Sequence, residues 1–121
     1  MKYTVRELGI LGERAAAKQY VKDGYKILAC NYHSRYGEVD IIASGNGCIV
    51  FSEVKLRAKA SMVSPAQAVT YNKQQKLIIT AQRWLMSNPS CLQPRFDVVE
   101  VVHVDGEIIN VERIEDAFRL N

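Results

Sequence analysis

Three side chains in the first half of the chain are placed to act together: the carboxylates of Asp40 and Glu53 and the amine of Lys55. They lie in two apolar-rich runs, residues 38–43 and 48–56, separated by Ser44-Gly45-Asn46-Gly47. Asn-Gly between such runs is the strongest short-range signal for a two-residue hairpin turn. With Asn46-Gly47 as that turn, Gly45 pairs with Cys48, and the register puts Asp40 opposite Glu53 and Glu38 opposite Lys55. Glu38, Asp40, Phe51, Glu53 and Lys55 then share one face, and Val39, Ile41, Val50, Val54 and Leu56 share the other.

Carboxylates directly opposed across a strand pair have Cβ atoms about 5 Å apart and weaken the pair. At an effective dielectric of about 20, two unit charges about 4 Å apart repel by roughly 4 kcal/mol. The pair calls for a neighbouring cation. Lys55 supplies part of that charge, and a hard divalent ion such as Mg²⁺, or Mn²⁺ in its place, supplies more. The same residues also read as the solvated side of an antiparallel sheet, and a longer turn would shift the register. Glu13 continues a stripe with Ala17, Tyr20 and Val21. It reads either as an edge residue reaching water or as a further acid directed at the hairpin.

The elements that position these groups follow from periodicity and punctuation. Residues 4–23 carry a helical pattern with Gly24 where a helix ends. Residues 25–32 form a strand and are followed by the hairpin. A loop over 57–64 leads to a second helix over 65–87, with Leu77, Ile78, Ala81, Trp84 and Leu85 as its apolar stripe and Asn88-Pro89 as its stop. A strand over 95–104, a turn at Asp105-Gly106, a short strand over 107–111 and a last helical turn over 112–118 complete the order αβββαββα. That order predicts an α/β fold: a single domain, residues 1–121, with a central mixed sheet flanked by helices.

Composition sets the outer limits. At 121 residues the chain has the length of one ordinary domain. Its 48% hydrophobic and 24% charged residues indicate a folded core rather than disorder. No apolar run approaches the roughly 20 residues of a membrane span, and residues 1–12 lack a secretory leader's apolar core, which points to the cytoplasm. Cys30, Cys48 and Cys91 have no zinc spacing and are expected to be free thiols, two of them buried. His33 and His103 are isolated, and Trp84 reads as core. Tyr32 and Tyr36 bracket the loop before Asp40, either supporting it or stacking on bases. There is no phosphate-binding glycine loop and no hydrolase elbow. The net charge of +3 permits a nucleic-acid partner without requiring one.

The segments Gly-Glu-Val-Asp-Ile-Ile-Ala (37–43) and Val-Phe-Ser-Glu-Val-Lys-Leu-Arg (50–57), preceded by Leu-Gly-Glu-Arg-Ala-Ala-Ala-Lys-Gln-Tyr (11–20), resemble the PD-(D/E)XK nuclease superfamily. More narrowly they resemble the YraN-type family of small bacterial predicted endonucleases, which is similar to archaeal Holliday junction resolvases. Val39 stands where the superfamily pattern has proline. The resemblance implies a restriction-endonuclease-like fold, with Asp40 and Glu53 as metal ligands and Lys55 as the motif lysine. It also implies Glu13 as the helical acid that acts on the metal through water, and the backbone carbonyl of Val54 as a further ligand.

So read, the residues suit metal-dependent hydrolysis of DNA phosphodiester bonds, branched or junction DNA included, in repair or recombination. Lys73, Lys76, Thr80 and Arg83 along one side of the second helix, with Arg35, Arg57 and Lys59 beside the acidic motif, would track phosphates without reading sequence. The helix residues read equally well as an ordinary solvated face. Likeness to resolvases extends the expectation to a homodimer on a two-fold junction. The competing class is a non-catalytic module of the same fold that binds nucleic acid or protein without cutting.

Overall fold

The computed structural model describes residues 3–61 and 69–119. Helix α1 (Val5–Lys22) starts in a capping box: the Thr4 side chain accepts the amide of Glu7, and the Glu7 carboxylate accepts the amide of Thr4, each at 3.1 Å. Its buried stripe is Leu8, Gly12, Ala16 and Tyr20. This face is rotated from the expected one, for Val21 is exposed and Glu13 and Ala17 are half-buried. Gly12 sets the close approach, since a Cβ there would lie 3.2 Å from the Leu56 side chain.

Strands β1 (Lys26–Ser34), β2 (Gly37–Gly45), β3 (Cys48–Ala58), β4 (Gln93–Val104) and β5 (Glu107–Phe118) form one sheet in sequential order. All neighbours are antiparallel except β3 and β4, which run parallel and are joined through helix α2 (Tyr71–Ser87). The α/β class and the mixed sheet are as expected. The Asn46-Gly47 turn has both residues at positive φ, and Gly45 pairs with Cys48 as predicted.

Three boundaries differ. The expected helical turn over 112–118 is strand, and β5 continues through it. Its charged residues are those of an edge strand, where charge blocks pairing with another chain. Helix α2 begins at Tyr71 behind the Thr70 cap, with Val69 and Thr70 outside it; the rest of the expected start, 65–68, lies outside the described residues. The expected loop from 57 gives way to β3 up to Ala58 and a single 3-10 turn, Lys59–Ser61. Cys30 and Cys91 are exposed and Cys48 half-buried, so the thiols are free as expected but none is buried. No described helix is long and apolar enough to cross a membrane.

The sheet divides two cores. Ala16 and Tyr20 of α1 pack on Ile41, Ala43, Val50, Val99 and Val101, and Leu77, Ile78 and Ala81 of α2 pack on Val39, Ile42, Ile49, Phe51 and Phe96. A polar knot ties the first core together. The fully buried Asp97 carboxylate accepts Tyr20 Oη at 2.7 Å, Arg95 Nε at 2.9 Å and the amide of Asp116 at 3.1 Å, and Arg95 also donates to Tyr25 Oη at 2.9 Å. Removing one partner of such a pair strands a buried charge. Asp97→Ala is therefore expected to cost about 3–5 kcal/mol in chemical denaturation; a loss below about 1 kcal/mol would show the knot to be dispensable.

Candidate active site

The site lies where β2 and β3 part. Their pairing runs from Gly45↔Cys48 to Ile41↔Ser52 in the predicted register. Past Ile41 the alternation of faces lapses: Val39 packs in the α2 core together with Ile42, and Ile41 packs in the α1 core. Val39 thus leaves the face assigned to it from strict alternation. Between them the Asp40 carboxylate reaches across, and its Oδ2 accepts the amide of Val54 at 2.8 Å. A side-chain acid has taken a backbone donor of the neighbouring strand.

Glu53, the next residue of β3 after Ser52, is 5% exposed, and Asp40 is 6% exposed. Lys55 Nζ lies 3.6 Å from Glu53 Oε1. Lys73 Nζ, from the first turn of α2, lies 2.6 Å from the same oxygen. Burial first, and then the charge of Glu53, push the Asp40 pKa up to about 7 against the opposing pull of the Val54 amide; Glu13 and Glu38 add to the rise. Burial and the adjacent Lys73 ammonium hold the Lys55 pKa below the usual lysine value. Burial is the largest single influence on Lys73 and works against its ammonium, but the contacts with Glu53 and Lys55 and the charges of Glu53 and Asp40 together outweigh it and raise the Lys73 pKa.

The structure thus brings together Asp40, Glu53 and Lys55, and adds Lys73, which the sequence placed on a phosphate-tracking face. The sequence held no signal for Lys73, because its place at the positive end of α2 follows from the helix starting at Tyr71 and not at 65. Glu13 is half-buried on α1, and its charge reaches both Asp40 and the Cys30 thiol. Glu38 does not meet Lys55; it is exposed and pairs with His33 Nδ1 at 3.1 Å across the β1–β2 hairpin.

The expected phosphate-tracking residues divide. Arg57 Nε lies 2.7 Å from Glu100 Oε1, a charge contact whose N–H is not aimed at the oxygen. Among the described residues both carboxylate oxygens of the buried Glu100 go without a hydrogen bond, so Arg57 is committed to that charge. Lys59 and Lys76 are exposed, whereas Thr80 is buried, with its hydroxyl on the Lys76 carbonyl at 2.7 Å. Arg35 and Arg83 converge on Tyr36: each guanidinium carbon is 5.0 Å from the ring centroid, and both donate to Tyr36 Oη, at 2.9 and 3.1 Å. Those hydrogen bonds, the one from Arg35 first, lower the phenol pKa.

Among the described residues no three His, Cys, Asp or Glu side chains gather closely enough to form a complete ligand set. The pair Asp40 and Glu53 nonetheless fits Mg²⁺, which is held by one or two carboxylates and completed by water and phosphate oxygens. Both carboxylates are buried, and the Glu53 charge raises the proton affinity of Asp40, so the two acids taken by themselves call for positive charge.

A five-stranded mixed sheet between helices, with acids at the parting of two strands, has the architecture of a restriction-endonuclease-like domain. Residues 12–101 match the model of the uncharacterised protein family UPF0102. The chain is 44% identical to a UPF0102 protein of Trichlorobacter lovleyi over 93% of this chain and 91% of that one. It is 39% identical to one of Alkaliphilus oremlandii over 93% and 98%, and 37% identical to one of Clostridium botulinum over 99% and 100%. The chain belongs to the UPF0102 family, the YraN-type family that its motifs resemble.

A carboxyl with a folded pKa above its unfolded value binds more protons folded than unfolded. Its contribution favours folding at low pH and is lost as pH rises from about 4 toward 7. Asp40→Asn removes that dependence. In metal-free buffer the variant should gain roughly 1–3 kcal/mol on the parent chain between pH 5 and pH 8, measured by urea denaturation at both pH values. Parallel pH profiles for the two chains would place Asp40 outside this environment.

Proposed function

We propose that this protein is a divalent-metal-dependent endonuclease that hydrolyses phosphodiester bonds in DNA. Structure-selective action on branched or junction DNA, in repair or recombination, suits its family likeness. The observation that supports the reading is the buried pair Asp40 and Glu53 at the strand parting, with Lys55 beside it. A fold needs no such pair, and it costs stability unless a cation is present.

Asp40 and Glu53 would hold Mg²⁺ or Mn²⁺, with the Val54 carbonyl as the further ligand the family pattern implies. When bound, the ion supplies Lewis-acid polarisation of the phosphoryl group and eases deprotonation of water. Lys55, beside Glu53, is suited to position the attacking water and to offset charge developing on phosphate. Glu13 would orient a water at the edge of the pair. Arg35, Lys59, Lys76 and Arg83 would hold flanking phosphates without sequence preference. Cytoplasmic action belongs to this reading, and a homodimer would present two such sites to a two-fold junction.

That no third His, Cys, Asp or Glu side chain joins Asp40 and Glu53 among the described residues favours a second reading: a non-catalytic module of nuclease-like fold that binds nucleic acid or protein. Cleavage assays with Mg²⁺ on junction, flap, single-stranded and duplex DNA separate the two. Cutting of branched substrates is expected, with a loss of about 100-fold or more in Asp40→Ala, Glu53→Ala and Lys55→Ala chains that remain folded. A wild-type chain that binds DNA without cutting it, and binds equally well as Glu53→Ala, would establish the module instead.

A further inference from the structure

Lys73 is the more exposed of the two cations at the site. Its ammonium shares Glu53 Oε1 with Lys55, at 2.6 and 3.6 Å. Asp40, Glu53, Lys55 and Lys73 form a set whose ionised charges cancel, so a divalent ion entering it meets two ammonium groups. One of them must withdraw. The Lys55 side chain is 24% exposed and projects from within β3, whereas that of Lys73 is 43% exposed. The Lys73 backbone is fixed, its amide donating to Thr70 Oγ1 at 3.2 Å, so its side chain can swing without moving α2. The positive end of the helix repels it, and Lys76 lies exposed three residues on.

We infer that Lys73 is an exchangeable cation of the acidic site: it neutralises Glu53 in the metal-free protein, leaves as the divalent ion arrives, and then pairs with a phosphate oxygen of the bound DNA. This rests on the nuclease reading and deepens it. Lys73 acts twice, first in competition with the metal and then in concert with it. The two roles predict opposite effects of a single substitution, which a merely structural lysine would not produce.

The test is a calorimetric Mg²⁺ titration of the full chain as wild type, Lys73→Gln and Lys73→Arg, with single-turnover cleavage of branched DNA at saturating Mg²⁺. Lys73→Gln should bind Mg²⁺ about tenfold more tightly, the equivalent of one charge-assisted hydrogen bond removed from the competition. The same variant should cut more slowly, and Lys73→Arg should stay near wild type in metal affinity. Lys73→Met serves the same comparison if the glutamine variant does not fold. Unchanged or weaker Mg²⁺ binding in a folded Lys73→Gln chain, or tighter binding with undiminished cleavage, overturns the inference and leaves the nuclease reading standing. A wild-type chain that binds no Mg²⁺ at millimolar concentration overturns both.

Discussion

The repulsion between the Asp40 and Glu53 carboxylates is the constraint around which this molecule is arranged. Each is almost wholly withdrawn from solvent, and burial of a carboxylate costs stability unless a partner compensates it. Asp40 is steadied by the Val54 amide, and Glu53 by two ammonium groups. Each compensation requires a particular piece of the fold. The amide is available because the β2–β3 ladder gives way past Ile41, and Lys73 is available because α2 returns across the sheet between β3 and β4. The strand parting and the helix start act together as a device for keeping two acids close.

Such a device needs a rigid frame, and the frame lies on the opposite side of the sheet. Tyr20 anchors α1 to Asp97 and Ser52, and Arg95 links Asp97 to Tyr25. Ser52 immediately precedes Glu53, so the knot and the acidic site share a strand. Paired and hydrogen-bonded, these buried polar groups specify one arrangement of α1 on the sheet. The edge strand β5 joins the same knot through the amide of Asp116, at a residue with φ of +55°.

Much of this arrangement was legible in the sequence. Asn46-Gly47 set the hairpin register as far as Ile41↔Ser52, and Asp40 and Glu53 are the residues immediately beyond that pair. What escaped was tertiary. The lapse of alternation at Asp40 depends on a side chain taking a backbone donor, which no period of two can express. Lys73 looked like surface because helical periodicity describes a helix by itself and not the carboxylate its first turn faces. Arg57 stood beside the motif in the chain, yet its partner is Glu100, in the adjoining strand. The charged run after Val111 suggested a helical turn because the charges of an edge strand and of a solvated helix are alike until the neighbouring strand is known.

The central claim is that the parted strands hold two carboxylates as a cation site. Crystals of the full chain soaked in Mn²⁺ and measured for anomalous scattering would test it most directly. The account predicts a peak within bonding distance of carboxylate oxygens from both Asp40 and Glu53, lost in Asp40→Asn crystals. Mn²⁺ found only elsewhere on the molecule, with the two carboxylates left to the lysines, would contradict it.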